Sequence, residues 1–325
     1  MKRRDFTALL ALGWVPIALA QRGRVWRIGV LMPRTRPKTA DSGLSGAFLR
    51  GMRELGYVEG KNVEYDLRFT EGKTEGLAQH VAELLDRKPD VIVAGGTPPT
   101  RAAQKATSSI PIVMVYTGDP VGSGFVASLR RPGGNITGIT NINVDMNAKR
   151  VELLRTAFPQ LKRIGALLNP ANPTYSANLA TLQDAAKKSG VMLVLATARS
   201  SDGITEAFST LKGANADAVI VQTDSLYATQ ARKIAELSLS SRIPVLGGSR
   251  EIVDAGGLMS YSPSVEWAYQ RAAVYVDRIL KGAKPADIPV EQPAKLELLI
   301  NVGNAKALGI TLPGEVTFRA DQLIQ

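Results

Sequence analysis

Apolar runs of strand length alternate with helix-period segments along almost the whole chain, and this alternation limits the fold more than any other feature. The runs 26–32, 91–94 and 112–116 have the length and apolar content of strands, and 63–69 alternates as a strand should. Between them, 42–55 spaces Phe48, Leu49, Met52 and Leu55 close to the helical period, and 74–87 reads as a second helix stopped before Pro89. Thr97-Pro98-Pro99-Thr100 opens a third helix running to 107, because a threonine cap followed by proline in the first turn is a start signal. The pattern then restarts. Helices are expected over 145–158, 175–189, 204–211 and 226–240, and strands over 163–168, 191–196, 218–222, 244–246 and 258–261. A long helix, 265–280, comes last.

Serial βα units build parallel sheets covered by helices on both faces. Two successive sets predict an α/β chain of two Rossmann-like lobes with parallel sheets, joined by a hinge. The late helix is expected to return to the first lobe. The division is then 24–140 plus 262–286 for the N-terminal lobe and 141–261 plus 287–325 for the C-terminal lobe. The chain passes between lobes near 141, 262 and 287, and the pattern assigns no path to 295–325.

Residues 1–20 read as a cleavable export signal rather than fold. Lys2, Arg3 and Arg4 precede an apolar run from Phe6 to Leu19, and Ala18-Leu19-Ala20 supplies a small-residue cleavage site. Arg3-Arg4-Asp5-Phe6 also resembles a twin-arginine signal. The chain has no cysteine, which excludes disulfides, thiolate metal sites, cysteine nucleophiles and a lipid-modified cysteine. Export without cysteine predicts a periplasmic, released protein. The formal charge is +11, but basic residues are interspersed with acids, as in Arg50-Gly51-Met52-Arg53-Glu54, so no nucleic-acid footprint is expected.

Catalytic patterns are missing. The single histidine, His80, lies within the second helix without a partner nucleophile, and no phosphate loop, nucleophile elbow, dinucleotide fingerprint or calcium loop is present. The expectation is a non-enzyme with no cofactor and no metal. Asp119 with Glu251 is the one acid/base pair the sequence could offer to an enzyme.

Polar residues instead gather where strands end, the edge at which open α/β sheets bind small molecules. Gly95-Gly96-Thr97 precedes a helix start whose free amides favour an anion, so Thr97 and Pro98 are candidate ligand contacts. Thr117 and Asp119 follow the next strand, with Asp119 a candidate acceptor for a ligand ammonium. In the second lobe Asn169, Asn172 and Tyr175 follow one strand, Asp224 another, and Ser249 and Glu251 a third. Together they predict one polar cleft between the lobes, with Tyr175 and Tyr227 as possible aromatic walls.

Several segments carry a family likeness: Arg130 to Gly138 (RRPGGNITG) with GDPVGSG before it, Glu54 to Gly60, and Lys149 to Leu154. Ala255 to Tyr261, Ala272 to Asp287 and Pro289 to Pro293 add to it, in order over about residues 25 to 325. The chain resembles the ABC-transporter substrate-binding proteins of the type I periplasmic fold, whose relatives include binders of tryptophan and other aromatic amino acids. The resemblance implies a monomer that closes on a small-molecule solute and delivers it to an ABC permease in the inner membrane. The basic stretch Met32 to Pro37 is a departure that favours a carboxylated solute. The alternative is a sensing module in which the same cleft feeds a receptor.

Overall fold

A computed structural model of the protein describes residues 24–39 and 41–325. The expected export signal lies outside the described residues. The first lobe contributes β1 (Trp26–Met32), α1 (Gly43–Glu54), β2 (Val63–Phe69), α2 (Leu77–Asp86), β3 (Val91–Gly95), α3 (Thr97–Ala106), β4 (Ile112–Thr117) and β5 (Ile136–Thr140). The second begins with α4 (Asn147–Ala157), β6 (Arg163–Leu168), α5 (Tyr175–Lys188), β7 (Met192–Thr197), α6 (Ser201–Gly213) and β8 (Ala218–Val221). It continues through α7 (Ser225–Thr229), α8 (Ala231–Ser241), β9 (Val245–Gly247), α9 (Arg250–Asp254) and β10 (Met259–Pro263). After α10 (Val265–Leu280) come β11 (Leu296–Asn301), α11 (Val302–Leu308), α12 (Gly314–Phe318) and β12 (Gln322–Ile324).

Two sheets result. One has the order β2-β1-β3-β4-β5 and is parallel throughout. The other has the order β12-β11-β10-β9-β8-β6-β7 and is parallel except where β11 runs against β10. The purely parallel expectation is corrected at that pair. β3 and β4 are buried along their whole length, as strands covered on both faces must be. Helix α10 packs on α1, and Gly51 lets them approach, since a Cβ there would meet the Gln270 carbonyl and Ala273. Phe48, Met52, Val93, Tyr269, Ala272 and Val276 share the resulting core. No helix among the described residues is long and apolar enough to cross a membrane.

Three passages connect the lobes. The first leaves β5 at Thr140 and the second joins β10 to α10 through Ser264. The third comes later than the sequence division places it. Ile288 and Val290 are buried in first-lobe clusters. The Glu291 amide donates to Gly138 (2.9 Å) and its carbonyl accepts from the Thr140 amide (3.0 Å), so 288–291 runs beside β5. The passage therefore follows Glu291 rather than residue 286. Residues 295–325, left without a path, complete the second sheet as β11 and β12.

Candidate functional site

The strand ends of the two sheets face one another across a narrow cleft. A cavity of about 30 Å³ lies inside it, lined from the first lobe by Pro33, Arg34, Gly96, Thr97, Pro98 and Tyr116. Asn141 of the first passage, Val265 and Tyr269 of α10, and Asn172, Thr223, Asp224 and Ser225 of the second lobe complete the lining. The lobes touch around it: a Cβ on Gly72, in the loop after β2, would overlap Thr229 and meet the Ser225 carbonyl of α7.

Asp224 dominates the second-lobe wall. Its carboxylate caps α7 by accepting from the Leu226 amide (2.8 Å). It also accepts from Asn172 Nδ2 (2.8 Å) and, more loosely, from Asn169 Nδ2 (3.3 Å to each oxygen). Each donor is uncharged. Asp224 is therefore a buried anion, positioned by two asparagines and a backbone amide, with no cation bonded to it among the described residues. The break between α7 and α8 at Gln230, where the sequence predicts one helix, lets a short helix carry this cap at the cleft.

The first-lobe wall is poorer in amides than the sequence implies. Pro98 and Pro99 carry no N–H, and the Thr100 amide is bonded to the Gly96 carbonyl (3.2 Å). The start of α3 is left with the Thr97 amide alone, so it is a weak anion site. Thr97 Oγ1 accepts from the Gly118 amide (3.1 Å), which leaves its own proton available to the cavity. Tyr116 sits in the left-handed region (φ 56°) at the register shift of β4, and its hydroxyl donates to the Pro263 carbonyl (3.1 Å). Strain of this kind is tolerated where the surroundings over-determine a site.

Charge enters from Arg34, just beyond β1. Its Nη2 pairs with Glu251 Oε1 of α9 at 3.0 Å, across the cleft. Burial, the largest influence, pushes the Glu251 pKa up, but the opposing influences, led by the Arg34 guanidinium, together hold the carboxyl below the usual carboxylate range. Tyr269 reaches the same region from α10. A Cβ at Gly95 would overlap its hydroxyl, so the glycine at the end of β3 makes that approach possible. Burial pushes the Tyr269 pKa up to about 12, which keeps the hydroxyl protonated at neutral pH.

Of the residues expected from sequence, Thr97, Pro98, Asn172 and Asp224 meet in the cavity, and Glu251 edges the adjoining chamber. Asn169 stands behind as a positioning donor to Asp224. Ser249 is buried at the N-cap position of α9. Thr117 is fully buried against Thr100 (3.1 Å between hydroxyls). Tyr175 packs on the second-lobe core and Tyr227 is buried, donating to the Ala198 carbonyl. Asp119 is a correction. Its carboxylate accepts from the Gly122 amide (2.9 Å) within its own loop, and it does not line the cavity. The turn uses the charge that the sequence assigns to a ligand. Replacing Asp119 with alanine is expected to leave solute affinity within about twofold and to cost about 1 kcal/mol of stability, the usual worth of one such bond. Paired calorimetric titration and urea unfolding check this.

Thr223 and Ser225, which flank Asp224 after its strand in the sequence, also line the cavity, and Arg34, Tyr116, Asn141 and Tyr269 complete the site without having been singled out as contacts from sequence. The basic stretch after β1 was a signal for Arg34. Tyr269 offered none, because α10 reaches the cleft only through its packing on α1.

The chain is compared with known proteins on this footing. A family model described as ABC transporter substrate binding protein matches residues 38–324. A tyrosine-binding protein of Clostridioides difficile is 29% identical over 262 residues, which is 80% of this chain and 75% of that protein. A Streptococcus pneumonia ABC domain in complex with L-Trp superposes with a TM-score of 0.85 at 28% identity, covering 92% of this chain and 100% of that one. A substrate binding protein from Clostridium difficile, in its ligand-free, open form, gives 0.66 at 25% identity, with 93% and 99% covered. With its two lobes, its polar strand-end cleft and a match over nearly all described residues, the chain belongs to the ABC transporter substrate binding protein family.

Proposed function

We propose that this protein captures a small carboxylated solute, an α-amino acid in its zwitterionic form, between its lobes. It then delivers the solute to an ABC permease in the inner membrane, acting as an exported periplasmic monomer. The observation that carries this reading is Asp224, a buried carboxylate on the cavity wall whose bonded donors are all uncharged. A ligand ammonium supplies the missing cation, and charge-assisted bonds of this kind are the strong ones. The ligand carboxylate meets the Thr97 amide and hydroxyl on the opposite wall, in a cavity that Arg34 also lines.

Charge balance supports a neutral zwitterion. One cation, Arg34, and one anion, Asp224, line the inner cavity, so a solute of large net charge would be uncompensated there. The relatives agree in kind, since one is a tyrosine-binding protein and another was solved with L-Trp. Lobe closure on the solute then forms the surface that a permease reads.

A thermal-shift screen of the twenty amino acids, aromatic acids and dicarboxylates tests the reading. At a hundred times its dissociation constant the true solute adds about 2.7 kcal/mol of stability, and at least one amino acid is expected to do so. A folded protein stabilised by none of them would refute the proposal.

A further inference from the structure

We infer that the solute's side chain carries a neutral group that both donates and accepts a hydrogen bond, and that this group sits between Arg34 and Glu251. The inference rests on the amino-acid reading above. Three observations point to it.

The first is an imbalance within the ion pair. Arg34 Nη2 reaches Glu251 Oε1 at 3.0 Å and Arg34 Nη1 reaches the Pro33 carbonyl at 3.4 Å. Arg34 Nε and Glu251 Oε2 are shielded from water and have no hydrogen-bond partner among the described residues. Buried polar atoms are ordinarily bonded, so an orphaned donor and an orphaned acceptor on the same pair require a reason. A hydroxyl or a carboxamide accepts from the guanidinium and donates to the carboxylate, which satisfies both. A hydrocarbon satisfies neither, a carboxylate opposes Glu251, and an ammonium opposes Arg34.

The second is the origin of the pair. Arg34 follows β1 of the first lobe and Glu251 lies on α9 of the second. The gap between them opens as the lobes part, so a solute group can be captured there on closure. The third is space. The cavity beside Asp224 is only about 30 Å³, far below the ~300 Å³ at which small-molecule sites begin. It leaves no room for a side chain. The adjoining chamber, about 780 Å³, shares Arg34 and Val265 with it and has Met32, Leu44 and Phe69 among its walls. A side chain leaving the inner cavity must pass Arg34 and Glu251, against apolar surface. Phenols and carboxamides carry that chemistry on side chains longer than those of serine and threonine.

The test is calorimetric titration of the purified protein with two matched pairs, L-tyrosine against L-phenylalanine and L-glutamine against L-methionine. In at least one pair the polar member is expected to bind tenfold or more tightly, on the order seen where a site is built for a substrate hydroxyl. Glu251→Leu and Arg34→Met bring that ratio to within about twofold, whereas Glu251→Gln, which keeps an acceptor, retains part of it. A wild-type protein that binds the apolar members as tightly, or a ratio that survives in Glu251→Leu, overturns the inference. Should those variants not fold, the wild-type ratios alone decide. If other amino acids bind and none of these four does, the inference falls and the amino-acid reading stands; if no amino acid binds, both fall.

Discussion

Replacing Asp224 with alanine is expected to lower affinity for the captured amino acid by at least about a hundredfold. Truncating one partner of a buried charge pair costs about 2–5 kcal/mol, much of it from the charge left behind. Here that charge is the solute ammonium, held in a closed cleft with nothing else to meet it. The substitution also removes the α7 cap, worth about 1 kcal/mol, so some loss of stability accompanies it. Asp224→Asn separates the effects. It keeps an acceptor for the Leu226 amide but lacks the charge, so it should fold close to wild type and still bind poorly. Titration of both variants with the amino acid found by thermal screening checks this. An Asp224→Asn protein with undiminished affinity would remove Asp224 from the binding site.

The second large effect falls on Arg150. It is the largest of the fully buried side chains, and it carries no carboxylate partner among the described residues. Its Nε and Nη2 donate to the Tyr261 carbonyl (3.3 and 3.2 Å), and its Nη1 lies 3.3–3.5 Å from Asn143 O, Asn147 Oδ1 and Gln222 Oε1. Every one of these acceptors is uncharged. Burial lowers its pKa to about 10, which still leaves it charged at neutral pH. One side chain thus ties the first interlobe passage, through Asn143, to the strand that leads to the second, through Tyr261. Arg150→Ala leaves those two carbonyls without donors, at about 1–3 kcal/mol each, and opens a cavity. Removing the charge offsets part of this, because a buried guanidinium is itself costly. A net loss of about 3–5 kcal/mol is expected. Arg150→Met, which fills the space, should lose clearly less. Urea unfolding measures both, and an alanine variant within about 1 kcal/mol of wild type would contradict the argument.

Much of the scaffold was legible in the chain. β1 and β6 fall on the residues expected because parallel strands buried on both faces are written as near-continuous apolar runs, β2 because its residues alternate as an edge strand's do, and α10 because its apolar residues recur at the helical period. β5 was obscured. Pro132-Gly133-Gly134 reads as a turn that runs on into Ile136, and Gly138 adopts φ +135° against the Met114 carbonyl, a conformation no strand pattern announces. The site was legible in part, for one physical reason. Sequence marks where strands end, so Thr97, Pro98, Asn172 and Asp224 could be found. It does not mark which way a loop side chain turns. Asp119 turned into its own loop, and the strand-end rule could not tell it from Asp224. Groups brought by packing, such as Tyr269 and Asn141, leave no local trace. Pro98 and Pro99 were visible as helix starters, and their removal of anion-binding amides follows from the same two residues.

The three chain passages between the lobes also bear on how quickly a solute can be trapped. A single linker would let two bodies roll and twist freely, and capture would then have to freeze that freedom. Three neighbouring passages, two of them pinned by Arg150 and the third by β5, confine the lobes to swinging about one crease. Little orientational entropy is left to lose when the cleft shuts, so more of the contact energy is retained as affinity. The protein works as a spring clip rather than as two beads on a string.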